Sequence, residues 1–181
     1  GLMYLHSLPP IVGYVLTLVV IVFITNSINL IDGIDGLASG LCMVALLYYT
    51  LVFYTFGHYT YALLSAALLG TVVPFFYYNV FGSAAKHKKI FMGDTGALTL
   101  GVLISILSLR INQFNDGAHV NNAFVMAFAP LIVPCFDVIR VYIHRIRTGK
   151  SSLLPDKNHI HHKLMRRGLT PRSALISITL L

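Results

Sequence analysis

Long apolar runs separated by short polar segments dominate this chain of 181 residues. A helix that crosses a bilayer needs roughly 20 mostly apolar residues, because each residue adds about 1.5 Å across a hydrocarbon core of about 30 Å. Five runs meet or approach that length: 11–25, 37–56, 61–81, 95–109 and 123–143. A sixth run begins near Ser173. The sequence therefore predicts an all-α fold, a polytopic integral membrane helical bundle with about five complete transmembrane helices plus a truncated sixth.

The composition excludes most other classes of protein. Apolar residues make up 56% of the chain and charged residues 10%, whereas a soluble domain carries roughly 25% charged residues. All six acids are aspartates, which indicates carboxylates kept for particular places rather than for a solvated surface. Cys42 and Cys135 lie inside apolar runs, as is typical of small buried side chains rather than of a disulfide.

The distribution of lysine and arginine predicts how the bundle is oriented. The loops 26–36, 83–94 and 144–172 fall on one side and together hold eleven basic residues, whereas the loops on the other side hold only Arg110. By the positive-inside rule, the basic side faces the cytoplasm. This asymmetry explains the net charge of +7 without nucleic acid as a partner. We expect residues 1–181 to form a single transmembrane domain.

A first polar cluster follows the first apolar run. Four residues recur there at every third position: Asn26, Asn29, Asp32 and Asp35. Carboxylate and amide oxygens suit a hard cation such as Mg²⁺, or hydrogen bonds to a sugar or base. Gly33 and Gly36 are expected to break or tighten the helix and to let the backbone approach a ligand. An ordinary polar helix cap is the alternative interpretation.

A second cluster, Phe91-Met-Gly93-Asp94-Thr95-Gly96, opens the fourth apolar run. Asp94 is expected to be the N-cap of that helix, whose free N–H groups and dipole would favour an anion. Phe91 offers a flat apolar face on which a base could stack. A simple cap without a ligand remains the alternative.

A third cluster lies in the long basic loop, where His159, His161 and His162 are flanked by lysines and arginines. Imidazole and basic groups together indicate binding of phosphate or pyrophosphate. Zinc is disfavoured because no cysteine lies near, and a merely solvated basic loop is the other alternative. Asp137 and Arg140, three residues apart in the last full run, are expected to form an ion pair.

Together the three segments resemble the polyprenyl-phosphate N-acetylhexosamine-1-phosphate transferases, the membrane enzymes of glycosyltransferase family 4. The segments are NSINLIDGIDGLASG (26–40), KIFMGDTGALTLG (89–101) and GKSSLLPDKNHIHHKL (149–164). The Pro-Asp and His-Ile-His-His pattern is similar to the branch that uses UDP-N-acetylglucosamine. The phospho-N-acetylmuramoyl-pentapeptide transferases, with a different histidine run, are the alternative branch.

The resemblance implies a reaction in the inner (cytoplasmic) membrane, on its cytoplasmic face. Undecaprenyl phosphate would take the sugar 1-phosphate from the UDP-sugar and release UMP, starting a lipid-linked cell-envelope glycan. It implies Mg²⁺, with Mn²⁺ as a substitute, held by Asp94 and Asp32. The implied catalytic residues are Asp32, Asp35 and Asp94. The implied substrate-binding residues are Asn26, Asn29, Phe91, Gly93, His159, His161 and His162. A direct attack, a covalent phospho-enzyme and a homodimer are all compatible with this pattern.

Two features depart from the family. Its members carry an upstream cytoplasmic loop with adjacent aspartates, and this chain has no Asp-Asp pair. We therefore expect a fragment that lacks N-terminal helices and part of the C-terminus, and that is inactive alone. The segment Gly82-Ser-Ala-Ala-Lys-His is longer than the family's loop, so no role follows for Asn79. A cation transporter or a non-catalytic membrane partner is the alternative class of function.

Overall fold

Eight α-helices and one 3₁₀ turn make up the computed structural model, which describes residues 9–83, 85, 87–111, 113, 123–148 and 159–180. The described part of the chain contains no β-strand. The helices are α1 (Pro10–Ile31), α2 (Leu37–Thr55), α3 (Tyr59–Phe81), α4 (Gly93–Ile111), α5 (Ala123–Phe128), α6 (Ile132–Arg147), α7 (Ile160–Arg166) and α8 (Pro171–Thr179). The 3₁₀ turn Ala129–Leu131 joins α5 to α6.

Among the described residues, five segments are long and apolar enough to cross a membrane, which confirms the prediction of a polytopic helical bundle. The two spans with the shortest predicted runs, 11–25 and 95–109, are both longer as helices, because polar flanks continue the helix. The first extends to Ile31, so its 22 residues reach about 33 Å. Residues 26–31, predicted as part of a cytoplasmic loop, are therefore helical, and the prediction was wrong there.

The fifth span is interrupted near its middle. Pro130 and Pro134 lie in and just after the 3₁₀ turn, where the missing proline N–H groups make a regular helix unfavourable. The carbonyl oxygen of Ala127, just before the turn, accepts hydrogen bonds from Tyr49 Oη at 2.7 Å and from Ser108 Oγ at 2.8 Å. Side chains of α2 and α4 therefore satisfy the backbone at the break.

The helices alternate in direction and pack as neighbours, with α2 along α3 and α1 along α4 and α6. The core between them is fully buried around Ile24, Leu46, Phe53 and Ile104. Large apolar side chains cover the outer faces, as expected of helices in lipid. In this arrangement the C-terminal ends of α1, α3 and α6 lie at the same end of the bundle as the N-terminal ends of α2 and α4.

At the position of the predicted sixth run, α8 begins at Pro171. Thr170 caps it, because the Thr170 side chain accepts a hydrogen bond from the Ser173 N–H. Leu175 and Ile178 are buried against the start of α2. The nine residues of α8 thus support the same end of the bundle that carries the polar clusters.

Candidate active site at one end of the bundle

The turn between α1 and α2 carries two of the predicted carboxylates. Asp32 ends α1, and Gly36 precedes α2 with a φ of +85°, a conformation that favours glycine. A Cβ at Gly36 would also overlap the Val80 side chain of α3. The expectation that Gly33 and Gly36 end the helix is confirmed, and the tight turn holds Asp32 and Asp35 at the bundle end.

Asn79, to which the sequence assigned no role, ties this turn to the segment before α4. The Gly36 N–H donates to Asn79 Oδ1 at 2.6 Å, and Asn79 Nδ2 donates to the Ile90 carbonyl oxygen at 2.8 Å. Asn79 is buried. The Asn79 amide thus accepts a hydrogen bond from the turn that carries the first polar cluster and donates one to the segment that carries the second.

The N-terminus of α4 brings the second cluster against the first. Gly93, with a φ of +64°, begins the helix, and Asp94 lies in its first turn. The predicted N-cap at Asp94 was therefore wrong by one position or more. Asn29 Nδ2 donates to Asp94 Oδ1 at 3.3 Å. Nearer the middle of the helices, a Cβ at Gly101 would lie 2.8 Å from the Thr25 Cα. Because glycine has no Cβ, α1 and α4 can approach closely at this point.

Negative charge accumulates where the two clusters meet. The pKa of Asp32 is raised, mainly because the carboxyl is partly desolvated and also because Asp35 and Asp94 lie nearby. Asp35 itself pairs with Lys89, whose Nζ lies 2.6 Å from Asp35 Oδ2. The Asp32 and Asp94 carboxylates therefore share a region in which a bound cation would relieve their repulsion.

The donor set fits a magnesium ion that keeps water and substrate oxygens in its shell. Among the described residues, no group of three or more His, Cys, Asp or Glu side chains could hold a metal by itself. Mg²⁺ commonly uses only one or two carboxylates, together with waters and phosphate oxygens. Asp32 and Asp94 supply oxygen ligands of that kind, and Asn29 is hydrogen-bonded to Asp94.

Phe91 and Asn26 lie at the accessible edge of the site. Phe91 is 72% exposed, and Lys89 Nζ lies 5.4 Å from its ring centroid. Such a ring is free to stack against a flat ligand, with a cation beside it that suits an anion. Asn26 is exposed on α1, one helical turn from the Asn29–Asp94 contact. Within the first cluster, Asn29 contacts Asp94, whereas Asp35 contacts Lys89.

The histidine run packs onto the α1–α2 turn from the other side. His161 is 1% exposed, and a Cβ at Gly33 would overlap its imidazole ring. Neither ring nitrogen of His161 has a hydrogen-bond partner within the described ranges. Burial, followed by the charges of His162 and His159, lowers the pKa of His161 to about 4. A neutral imidazole with unused nitrogens therefore lies behind the carboxylate turn, and residues 149–158 of the third cluster lie outside the described residues.

Asp137 anchors this histidine run, a role that the sequence analysis missed. The expected ion pair with Arg140 is confirmed at 2.6 Å between Oδ1 and Nη2. The same carboxylate also contacts His159 Nδ1 at 2.8 Å through Oδ2 and accepts the Ile160 N–H at 2.9 Å through Oδ1. His159 is buried and lies nearly parallel to His161, with 6.0 Å between the ring centroids. His162 contacts His161 at 4.2 Å between the centroids.

The fold and site together define a multi-pass membrane protein with carboxylates, amides and histidines gathered at one end of its bundle. The family model of glycosyl transferase family 4 matches residues 2–112, and the chain belongs to that family. The resemblance drawn from the three motifs is thereby confirmed.

Similar curated proteins agree with this assignment. The chain is 37% identical to an undecaprenyl-phosphate alpha-N-acetylglucosaminyl 1-phosphate transferase of Yersinia pestis and 32% identical to one of Escherichia coli K12, each over 168 residues. It is 39% identical over 172 residues to a probable undecaprenyl-phosphate N-acetylglucosaminyl 1-phosphate transferase of Bacillus subtilis. Each match covers 93% of this chain and 45% of the relative. The chain therefore spans about half the length of the relatives it matches.

Proposed function

We propose that the protein containing this chain transfers N-acetylglucosamine 1-phosphate from UDP-N-acetylglucosamine to undecaprenyl phosphate, at the cytoplasmic face of the inner membrane. One observation carries the proposal: Asn29 of α1 meets Asp94 of α4 next to Asp32, at the end of the bundle that also holds the buried histidine run. The names of the relatives support the acceptor and the sugar. The eleven basic residues on that side support its cytoplasmic orientation.

The reaction needs an anionic nucleophile to attack an anionic diphosphate. An oxygen of the lipid phosphate forms a bond to the β-phosphorus of the UDP-sugar. The bond from that phosphorus to the bridging oxygen breaks, and UMP leaves with the electron pair. When bound by Asp94 and Asp32, Mg²⁺ or Mn²⁺ would neutralise charge on the diphosphate and the leaving group.

The remaining residues bind and orient the substrates in this proposal. Phe91 stacks on the uracil, and Lys89, 5.4 Å from the Phe91 ring centroid, supplies positive charge beside it. Asn26, Asn29 and Gly93 line the donor site, and Asp35 holds Lys89 in place. His162, the most exposed of the three histidines, binds the sugar or phosphate, and the buried His159 and His161 support it from within the fold. Burial keeps His161 neutral, because the lowered pKa of about 4 disfavours its protonation at pH 7.

The proposal is tested with the complete reading frame in membranes supplied with undecaprenyl phosphate and Mg²⁺. UMP release and lipid-linked product are followed with UDP-N-acetylglucosamine or UDP-N-acetylmuramoyl-pentapeptide as donor. We expect product from the first donor alone. Product from the second alone would retain the chemistry and reassign the branch. No product from either, with folded protein and a working control enzyme, would contradict the proposed function.

The metal assignment has its own test. We expect Mg²⁺ to raise the melting temperature of the detergent-solubilised protein, and Asp94→Asn to abolish both this shift and turnover. Lys163→Gln, which removes a charge from α7 without touching the carboxylates, is the matched control and retains the shift. Normal metal-dependent turnover in Asp94→Asn would exclude Asp94 as a ligand.

A further inference from the structure

Asp137, which lies outside the residues assigned to the reaction, has a buried carboxylate with three polar contacts among the described residues. Its side chain is 2% exposed, and its two oxygens contact Arg140, His159 and the Ile160 N–H at 2.6–2.9 Å. A simple i,i+3 ion pair requires only the first of these contacts. The other two cross from α6 to a segment more than 20 residues away in sequence, namely the start of the histidine run.

These two contacts fix different properties of the run. The bond to His159 Nδ1 sets the ring orientation, and in the neutral ring it places the proton on Nδ1 and leaves Nε2 as an acceptor. The bond to the Ile160 N–H satisfies one of the free donors at the first turn of α7. Asp137 therefore fixes the position of the start of α7 relative to α6. In the neutral ring it also fixes the tautomer of His159.

His161 has no comparable anchor of its own. Neither of its ring nitrogens is hydrogen-bonded within the part of the chain that the structure describes, although the ring is buried against Gly33. Its position consequently depends on where α7 lies. Apolar packing of Ile160 and Leu164 near the start of α2 holds α7 to the bundle, but such contacts are not directional. The two bonds of Asp137 add a directional constraint at the start of α7.

We propose that Asp137 is a positioning residue of this site: it orients His159, fixes the start of α7 and thereby holds His161 against Gly33, behind the turn that carries Asp32. Its link to catalysis rests on the proposed function, whereas its effect on the histidine run does not. Asp137 itself has no assigned contact with substrate and acts through the histidines.

The first test does not depend on the enzymatic activity of the protein. Full-length protein in membranes is treated with diethyl pyrocarbonate, and the modification rates of His159 and His161 are measured by mass spectrometry. We expect Asp137→Asn to increase both rates about tenfold, because local opening of the run becomes easier. Arg140→Lys, which keeps the cation beside Asp137, is the matched control and stays within about twofold of the wild type. Unchanged protection in Asp137→Asn would overturn the proposal.

A folding control accompanies this measurement. Cys42, which is 2% exposed in the core of α2, reports on the bundle through its alkylation by N-ethylmaleimide. Slow alkylation in Asp137→Asn shows that only the histidine run has loosened. Where alkylation of Cys42 accelerates, the comparison is made with Asp137→Glu, which keeps the charge but displaces the carboxylate by one methylene group. Protection of both histidines in that variant, with Cys42 unreactive, would equally overturn the proposal.

The second test links the positioning to turnover. If Asp137 acts through His159, the double variant Asp137→Asn/His159→Gln retains about the same kcat/KM as His159→Gln alone. A loss equal to the product of the two single losses would show that Asp137 acts independently, and would contradict the positioning role in catalysis. An inactive wild type contradicts the proposed function instead, while the modification rates still decide the structural part.

Discussion

Two buried side chains, Asn79 and Asp137, each join separate segments of the site, and they do so with different chemistry. Asn79 joins the α1–α2 turn to the segment before α4 through two hydrogen bonds of a neutral amide. Asp137 joins α6 to the histidine run through a carboxylate that also pairs with Arg140. Both are buried, but only the second is itself an ionisable group, and it contacts a histidine.

This difference separates the parts of the site by their sensitivity to conditions. The amide holds the carboxylate-bearing turn equally well at any pH at which the protein folds, because it has no proton to gain or lose. The histidine run contains titratable rings in contact with one another and with Asp137. We therefore expect the amide link through Asn79 to be independent of pH, and the buried imidazole of His161 to respond to acid.

The largest effect is expected from breaking the neutral connection. Asn79→Ala leaves the buried Gly36 N–H without its partner, which costs about 1–3 kcal/mol, and it also removes the part-buried bond to the Ile90 carbonyl. We expect the free energy of unfolding in detergent to fall by about 2–4 kcal/mol. Asn79→Asp, which keeps the acceptor for Gly36 but loses the donor to Ile90, should fall between this variant and the wild type. Equal stability of all three proteins would show that the amide bonds contribute nothing.

Acid should act on the other connection. The pKa of His161 is lowered to about 4 in the folded protein from its ordinary value of 6.5. Its neutral form is therefore favoured by folding. Below pH 6.5 His161 becomes protonated in the unfolded chain, whereas it stays neutral in the folded protein down to about pH 4. The free energy of unfolding therefore decreases as the pH falls through this window. We expect a loss on the order of 2–3 kcal/mol. Subtracting the pH profile of His161→Gln, measured by thermal denaturation, isolates this contribution; a profile identical to the wild type would contradict it.

The contact between the two parts can be changed from the carboxylate side. A methyl group added in Gly33→Ala would overlap His161, so the ring or α7 must shift. Overpacking of this kind costs about 1–3 kcal/mol. We expect lower stability and faster modification of His161 by diethyl pyrocarbonate. Gly70→Ala serves as the comparison, since it adds the same group with no heavy atom within 4 Å and at a glycine without a positive φ. Slower modification of His161 in Gly33→Ala would be inconsistent with this packing.

The smallest effect is expected at the exposed pair. Lys89 and Asp35 are about a quarter and two-fifths exposed, and such pairs contribute about 0.2–1 kcal/mol. Lys89→Gln should therefore barely change the melting temperature. Its effect should appear instead as a raised KM for the UDP-sugar, because a cation beside Phe91 is lost. A change in stability as large as that of Asn79→Ala would show that the pair is structural.

The sequence predicted the spans and the common side of the three clusters, because apolar length and basic asymmetry are properties of local composition. It also predicted the Asp137–Arg140 pair, whose members lie one helical turn apart. The additional bonds of Asp137 to His159 and Ile160 depend on how α7 returns to α6. Asn79 gave no signal for the same reason, since its partners belong to two other segments. The assigned site roles, including Mg²⁺ at Asp94 and Asp32, stay predictions until the experiments above are done.

The break at Ala127 gives the last span a mechanical property. Its carbonyl oxygen is held by Tyr49 and Ser108, so α5 is fastened to two neighbours while α6 continues beyond the turn as a separate rod. That helix packs along α1 and carries Asp137, so a change of its tilt with bilayer thickness would move Asp137 relative to the histidine run. We expect protection of His159 and His161 to vary with acyl-chain length in reconstituted vesicles, and Tyr49→Phe to steepen this dependence. The thickness of the hydrocarbon layer would then control how exposed His159 and His161 are.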